Sequence, residues 1–216
     1  MTNFLYPFLD AEERDQDSLL ADLAASALAK ARESAALRRS TLEECAGQID
    51  DAAARIAGRL AAGGRLFAFG NGGSSTDAAT LADLFARPPR GRPLPAWSLA
   101  ADQAVLTALG NDLGFELVFA RQLIARGRET DVAVALSTSG GSKDLTAALR
   151  EARKRGMYTV GFAGYEGGEF AQSRDVDVCF VVRSQSVHRI QEAQALLGHR
   201  LWAAVHEHLG EQGARG

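Results

Sequence analysis

The residues of this chain best suited to chemistry lie in two short loops of glycine and hydroxyl side chains. The first, Gly70-Asn71-Gly72-Gly73-Ser74-Ser75, follows the apolar run LFAF. The second, Ser137-Thr138-Ser139-Gly140-Gly141-Ser142, follows VAVAL and places four hydroxyls within six residues. Glycine lets a backbone approach a ligand closely, and serine and threonine add donors without adding net charge. A helix that opens just after such a loop presents unpaired N–H groups and partial positive charge. Together these suit an anion, a phosphate above all. Neither loop is a nucleotide signature: the first lacks the third glycine of the dinucleotide pattern, and no Gly-Lys-Ser/Thr follows it as in a Walker loop. One such loop alone is commonly a simple turn; two in equivalent positions carry the phosphate reading.

The elements that must position these loops are short apolar runs at 65–70, 95–100, 131–138 and 158–164, with a fifth at 176–182. Near-continuous apolar runs joined by helix-length crossovers predict a parallel sheet covered on both faces. Both loops then fall at carboxyl ends of strands, where open α/β sheets place ligands. Helices are predicted over 77–86, 111–125 and 143–155, and a long one over 186–209. Ahead of the sheet, the Ala-rich stretches 17–39 and 40–62 read as a helical hairpin. In the second, Leu42, Cys45, Ile49, Ala53, Ile56 and Leu60 recur at steps of three or four. Ser40-Thr41 with Glu43 and Glu44 supplies a helix start, and Gly63-Gly64 an end. Residues 17–210 thus read as one domain, 211–216 as a tail and 1–16 as an arm. In the arm Phe4, Leu5, Tyr6, Phe8 and Leu9 surround Pro7, which interrupts any helix; it is expected to pack on its own domain or on a partner subunit.

The chain has 216 residues, 46% of them hydrophobic and 24% charged, with a net charge of -3. That balance argues against a protein that coats nucleic acid, which needs a surplus of Lys and Arg, and no direct nucleic-acid binding is expected. No apolar run approaches the length of a membrane span, and the N-terminus has no basic segment of the kind that opens a signal peptide, so a cytoplasmic protein is expected. Cys45 and Cys179 have no metal or redox spacing and read as structural thiols.

GNGGSSTDA (70–78), GNDLGFELVF (110–119), ALSTSGGS (135–142), FAGYEGGEFA (162–171) and HRIQEAQ (188–194) resemble, in this order, the sugar isomerase (SIS) domain. More narrowly they resemble its phosphoheptose isomerase subgroup, which also holds the replication-initiator-associating protein. The likeness runs over about residues 18–209. It implies a flavodoxin-like three-layer α-β-α sandwich with a five-stranded parallel sheet, a homotetramer with sites between subunits, and a phosphorylated ketose or aldose as ligand. Carried over by position, it implies that Ser137, Thr138, Ser139 and Ser142 hold the phosphate. Asn71, Gly72, Gly73 and Ser74 would line the other side, and Asn111 and Asp112 would contact sugar hydroxyls.

Aldose–ketose interconversion moves a proton between adjacent carbons, so it needs a base, and an acid or metal to manage the oxygens. The resemblance implies zinc held after the first loop by a histidine and a glutamate one turn apart, the glutamate also being the base. Those positions are Thr80 and Leu84 here, and neither can serve, so no metal site is expected. Gln191 and His199 match the subgroup's glutamine and histidine, the histidine implied as acid or base and zinc ligand; they lie about 12 Å apart along a helix. Asp77, Asp83, Glu116 and Glu192 are weaker candidates for a replacement carboxylate. His206 and His208 read as solvated. Two functions follow: an isomerase of sedoheptulose 7-phosphate or a similar sugar phosphate, or a non-catalytic sugar-phosphate-binding protein that serves a protein partner.

Overall fold

A computed structural model describes residues 16–214, and the chain divides into two compact units, 1–36 and 37–216. The first strand, β1 (Leu66–Gly70), is followed by α2 (Gly73–Ala86), β2 (Ala96–Ser98), α3 (Gln103–Leu113) and α4 (Val118–Arg126). Then come β3 (Val132–Leu136), α5 (Lys143–Lys154), β4 (Tyr158–Gly164), α6 (Gly168–Gln172), β5 (Val178–Val182) and α7 (Val187–Ala214). Every residue of β1, β3 and β4 is buried, which is why these strands read as unbroken apolar runs.

All five strands are parallel, in the order β2-β1-β3-β4-β5. The chain moves outward from β1 to β2, then crosses back to continue at β3. The reversal therefore lies between β1 and β3, and the register pairs Gly70 with Leu136. It sets the starts of the two glycine–hydroxyl loops side by side at the switch point. Alternation along the strands divides the core in two. Leu66, Ala68, Val132 and Val134 face a layer that includes Ile56, Phe85, Leu197 and Trp202. Phe67, Phe69, Ala133 and Ala135 face Phe119, Leu123, Leu149 and Phe170. This is the three-layer sandwich.

The predicted helical hairpin is not what forms. A single helix, α1, runs from Gln16 to Ala61. Neither glycine nor proline occurs between Asp17 and Ala46 to interrupt it. Ser40, read as a capping residue, instead donates its hydroxyl to the Leu37 carbonyl (3.1 Å), as a serine inside a helix does. In the first unit Leu20, Leu23 and Leu28 of this helix are exposed. The predicted helix 111–125 is also divided: α3 starts earlier, capped by Asp102 Oδ1 accepting from Val105 N–H, and Gly114 (φ 92) with a 3-10 turn at Phe115–Leu117 separates it from α4. No side chain of α3 is fully buried, and Leu106 and Leu109 are half-buried against the second core layer. α6 was not legible as a helix, and the expected tail is helical as far as Ala214. The arm expected over 1–16 lies outside the described residues up to Asp15.

At the amino ends of the strands, Asp131 is fully buried and accepts from Arg65 N–H (2.8 Å), the Arg65 guanidinium (2.7 Å to Oδ2) and Arg128 N–H (2.9 Å). Asp131→Asn places an amide donor against these donors. It is expected to cost about 2 kcal/mol, the price of leaving buried groups unsatisfied, measured by urea unfolding; a loss near zero would show that the ion pair is dispensable.

Candidate functional site

Each loop runs straight into a helix. α2 begins at Gly73, four residues earlier than predicted, after Gly72 at φ 54; α5 begins at Lys143 after Ser142. Neither helix start receives a hydrogen bond from a capping side chain, so backbone N–H groups are left for a ligand. In the second loop Gly140 N–H donates to Ser137 Oγ (3.0 Å), Gly141 N–H to Ser139 Oγ (3.4 Å), and the two hydroxyls lie 3.3 Å apart. The hydroxyls thus fold the loop onto itself.

A third glycine-rich segment, 164–168, holds that loop from behind. Gly164 N–H donates to the Thr138 carbonyl (3.0 Å) and Phe170 N–H to the Gly140 carbonyl (2.9 Å). A Cβ at Gly140 would strike the Gly167 carbonyl, and one at Gly168 the Ser139 carbonyl. These glycines serve close backbone approach, and Tyr165 beside them stands at φ 53.

Asn71 Nδ2 donates to both oxygens of Asp144 (2.8 and 3.1 Å), linking the first loop to the start of α5. Asp144 was missed in the sequence because an acid in a first helical turn reads as a partner of the helix dipole; its burial is what distinguishes it. The structure therefore brings Asn71, Gly72, Gly73 and Ser74 beside Ser137, Thr138, Ser139 and Ser142. Asn111 and Asp112 are exposed on the last turn of α3; Asn111 donates to Asp112 (2.8 Å), and neither forms a hydrogen bond with the loops.

Behind the loops α2 and α7 enclose a small pocket of about 60 Å³. Thr80, Leu84, Gln194 and His199 line it with Asp77, over an apolar floor of Leu81 and Leu136. The two substituted positions, Thr80 and Leu84, thus share one pocket with His199. Gln191 Nε2 donates to Asp77 Oδ2 (3.0 Å), which connects the matched glutamine to the same pocket. A Cβ at Gly73 would meet the Gln191 amide, the far end of a flexible side chain, so a larger residue there would push this amide aside. Burial holds the Asp77 carboxyl above its ordinary range, and the Gln191 hydrogen bond opposes that shift. Gln194, fully buried, donates to the Ser137 carbonyl (2.8 Å), while its Oε1 has no partner. It lay within the matched HRIQEAQ stretch but was not singled out; only its burial separates it from Gln191.

The donors do not suit zinc. Zinc takes thiolate, imidazole and carboxylate ligands. Thr80 donates its hydroxyl to the Thr76 carbonyl (2.9 Å), Leu84 has no donor atom, and no three His, Cys, Asp or Glu side chains gather among the described residues. Of the other acids, Asp83 pairs with Arg87 (2.6 Å), and Glu116 pairs with Lys143 (3.5 Å). His208 pairs with Asp50 (2.9 Å). His206 is not the solvated residue expected: its ring packs against Trp202 and Gly91, and burial beside Arg92 and Arg90 lowers its pKa. Burial raises both thiols, Cys179 to about 12, as structural cysteines require.

A doubly wound parallel sheet with two such loops at its switch point and a helix-walled pocket behind them defines a three-layer α/β protein. The SIS domain model matches residues 31–164. A phosphoheptose isomerase of Aquifex aeolicus is 42% identical over 183 residues, 84% of this chain and 95% of that protein. The structure of the Neisseria gonorrhoeae phosphoheptose isomerase superposes with a TM-score of 0.78 at 33% identity, over 85% of this chain and 98% of that one. A Vibrio vulnificus protein complexed with ManNAc-6P shares the fold alone, at a TM-score of 0.56 and 18% identity over 91% of this chain and 72% of that one. The chain belongs to the SIS domain family and is a phosphoheptose isomerase-like member of it.

Proposed function

We propose that this protein binds a phosphorylated ketose or aldose, with the phosphate on the 70–74 and 137–142 loops, and interconverts the two sugar forms without a resident zinc ion. The observation that carries the reading is the pocket itself: His199 and Asp77 gather immediately behind loops whose N–H groups and hydroxyls suit a phosphate. The 42% identity to a protein named phosphoheptose isomerase makes sedoheptulose 7-phosphate the first substrate to test. A homotetramer is part of the proposal. Trp97, Leu113, Phe115 and Leu117 are large apolar side chains left exposed around α3, a helix with no buried residue, as a subunit contact requires. No described helix is long and apolar enough to cross a membrane, which accords with the proposed cytoplasmic location.

The second reading keeps the ligand and drops the turnover: a sugar-phosphate-binding regulator or platform for a protein partner. Thr80 and Leu84 favour it, because they remove donors from the very pocket that would do chemistry. Sedoheptulose 7-phosphate with and without zinc, followed in parallel by calorimetry and by isomer formation, separates the two. Binding with metal-independent turnover is the expected result. Binding without turnover establishes the regulator, and absence of binding removes both readings for this sugar.

A further inference from the structure

We infer that Asp77 is the base that carries the carbon-bound proton between C1 and C2 of the sugar, an inference that rests on the isomerase reading above. The position that the resemblance assigns to the base is Leu84, which cannot accept a proton. The pocket that Leu84 lines contains one acid, Asp77. The other nearby carboxylates are engaged elsewhere: Asp144 by Asn71 through both oxygens, Asp83 by Arg87, and Glu116 by Lys143. Asp77 is held through a single oxygen. Gln191 donates to Oδ2, which orients the carboxylate and leaves Oδ1 without a hydrogen-bond partner among the described residues.

Its place along the helix suits the task. Asp77 lies four residues after Gly73, about 6 Å along α2 from the N–H groups that open the helix. A sugar whose phosphate rests on the loops and whose chain runs along α2 brings its far carbons to this pocket. His199 stands on the opposing helix, placed to manage the oxygens. The apolar floor of Leu81 and Leu136 keeps the site poorly hydrated, which strengthens a carboxylate as a base.

The step balances without a further reactant. Asp77 takes a proton from C1 of the ketose, the C–H electron pair becomes the C1=C2 bond, and the carbonyl pair moves to O2, which takes a proton from His199. O1 then returns its proton to His199 as the C1 carbonyl forms, and Asp77 delivers its proton to C2.

The test is hydrogen exchange with solvent, which reads the carbon-bound proton directly. Sedoheptulose 7-phosphate is incubated in heavy water with the wild-type protein and with Asp77→Asn. Deuterium incorporation is followed by mass spectrometry and binding by calorimetry. Wild type is expected to exchange, and Asp77→Asn to bind within a few-fold of wild type while exchange falls about 100-fold or more. Equal exchange in the two proteins overturns the inference and leaves the isomerase reading intact. Isomer formation is followed in the same samples, because a proton carried from C1 to C2 without escaping to solvent appears as turnover with little deuterium. The two proteins are then compared by turnover. Binding by wild type with neither exchange nor isomer formation overturns the inference and returns the protein to the regulator reading. No binding by wild type removes the sugar-phosphate reading itself. Should Asp77→Asn fail to fold, Asp77→Glu asks the same question: binding kept with slowed exchange supports the assignment, and unchanged exchange overturns it.

Discussion

Gly140→Ala is expected to abolish sugar-phosphate binding and to destabilise the fold. Gly140 sits at φ +65, where an L side chain costs about 1–2 kcal/mol. The added carbon also meets the Gly167 carbonyl and the Ala163 side chain, and the carbonyl belongs to a backbone that cannot turn aside cheaply. The combined loss is expected at about 2–4 kcal/mol in a urea melt, within the range of the larger single-residue effects. The functional loss follows from the same clash. Gly140 is tied through its N–H to Ser137 Oγ and through its carbonyl to Phe170 N–H, so displacing it moves the hydroxyls of the whole loop. A displacement of about 1 Å is enough to cost roughly 100-fold. Gly141→Ala is the control for stability, since its Cβ would meet nothing within 4 Å and its φ is not positive. If Gly140→Ala melts and binds sedoheptulose 7-phosphate like wild type, the loop is softer than its packing indicates.

The paired substitution Thr80→His and Leu84→Glu is expected to create a zinc site in the pocket lined by Asp77 and His199. Residues 80 and 84 lie one turn apart on α2 and line the same pocket as His199. With histidine and glutamate in place, two imidazoles and a carboxylate converge, a donor set found in zinc hydrolases with an open coordination position. Dialysed protein is expected to retain about one zinc per chain, with a dissociation constant of roughly micromolar or tighter, equivalent to about 8 kcal/mol. Each single variant supplies one donor fewer and is expected to lose its metal on dialysis. Metal content by emission spectroscopy decides it: a double variant as metal-free as wild type would mean that the three positions do not point to a common centre. Turnover in the double variant, set against wild type, then reports whether native chemistry was replaced or removed.

The strands, the two glycine–hydroxyl loops and their place at the carboxyl end of the sheet were legible because each is a local pattern. A buried parallel strand is an apolar run, and a loop that must approach a ligand closely is written in glycine. Thr80 and Leu84 could be flagged only through the resemblance, which implies zinc ligands at those two positions; threonine is a poor zinc ligand and leucine none in any fold. The continuous helix α1 was misread at Ser40 because a hydroxyl suits a cap and an interior back-bond equally well.

What only the tertiary structure decided is which side chains share a space. Asp77 and Asp144 are alike in sequence, each an acid in the first turns of a helix after a glycine loop. One is held by Gln191 from 114 residues away and opens onto a pocket; the other is consumed by Asn71 from 73 residues away. Gln191 and Gln194 are similarly indistinguishable until burial assigns one to Asp77 and the other to the Ser137 carbonyl. Residue type and local spacing determine what a loop can hold. The reversal of strand order between β1 and β3, and the crossing of α2 with α7, determine which carboxylate is left beside it, because contacts between segments so distant in the chain are set by packing and leave no local pattern to read.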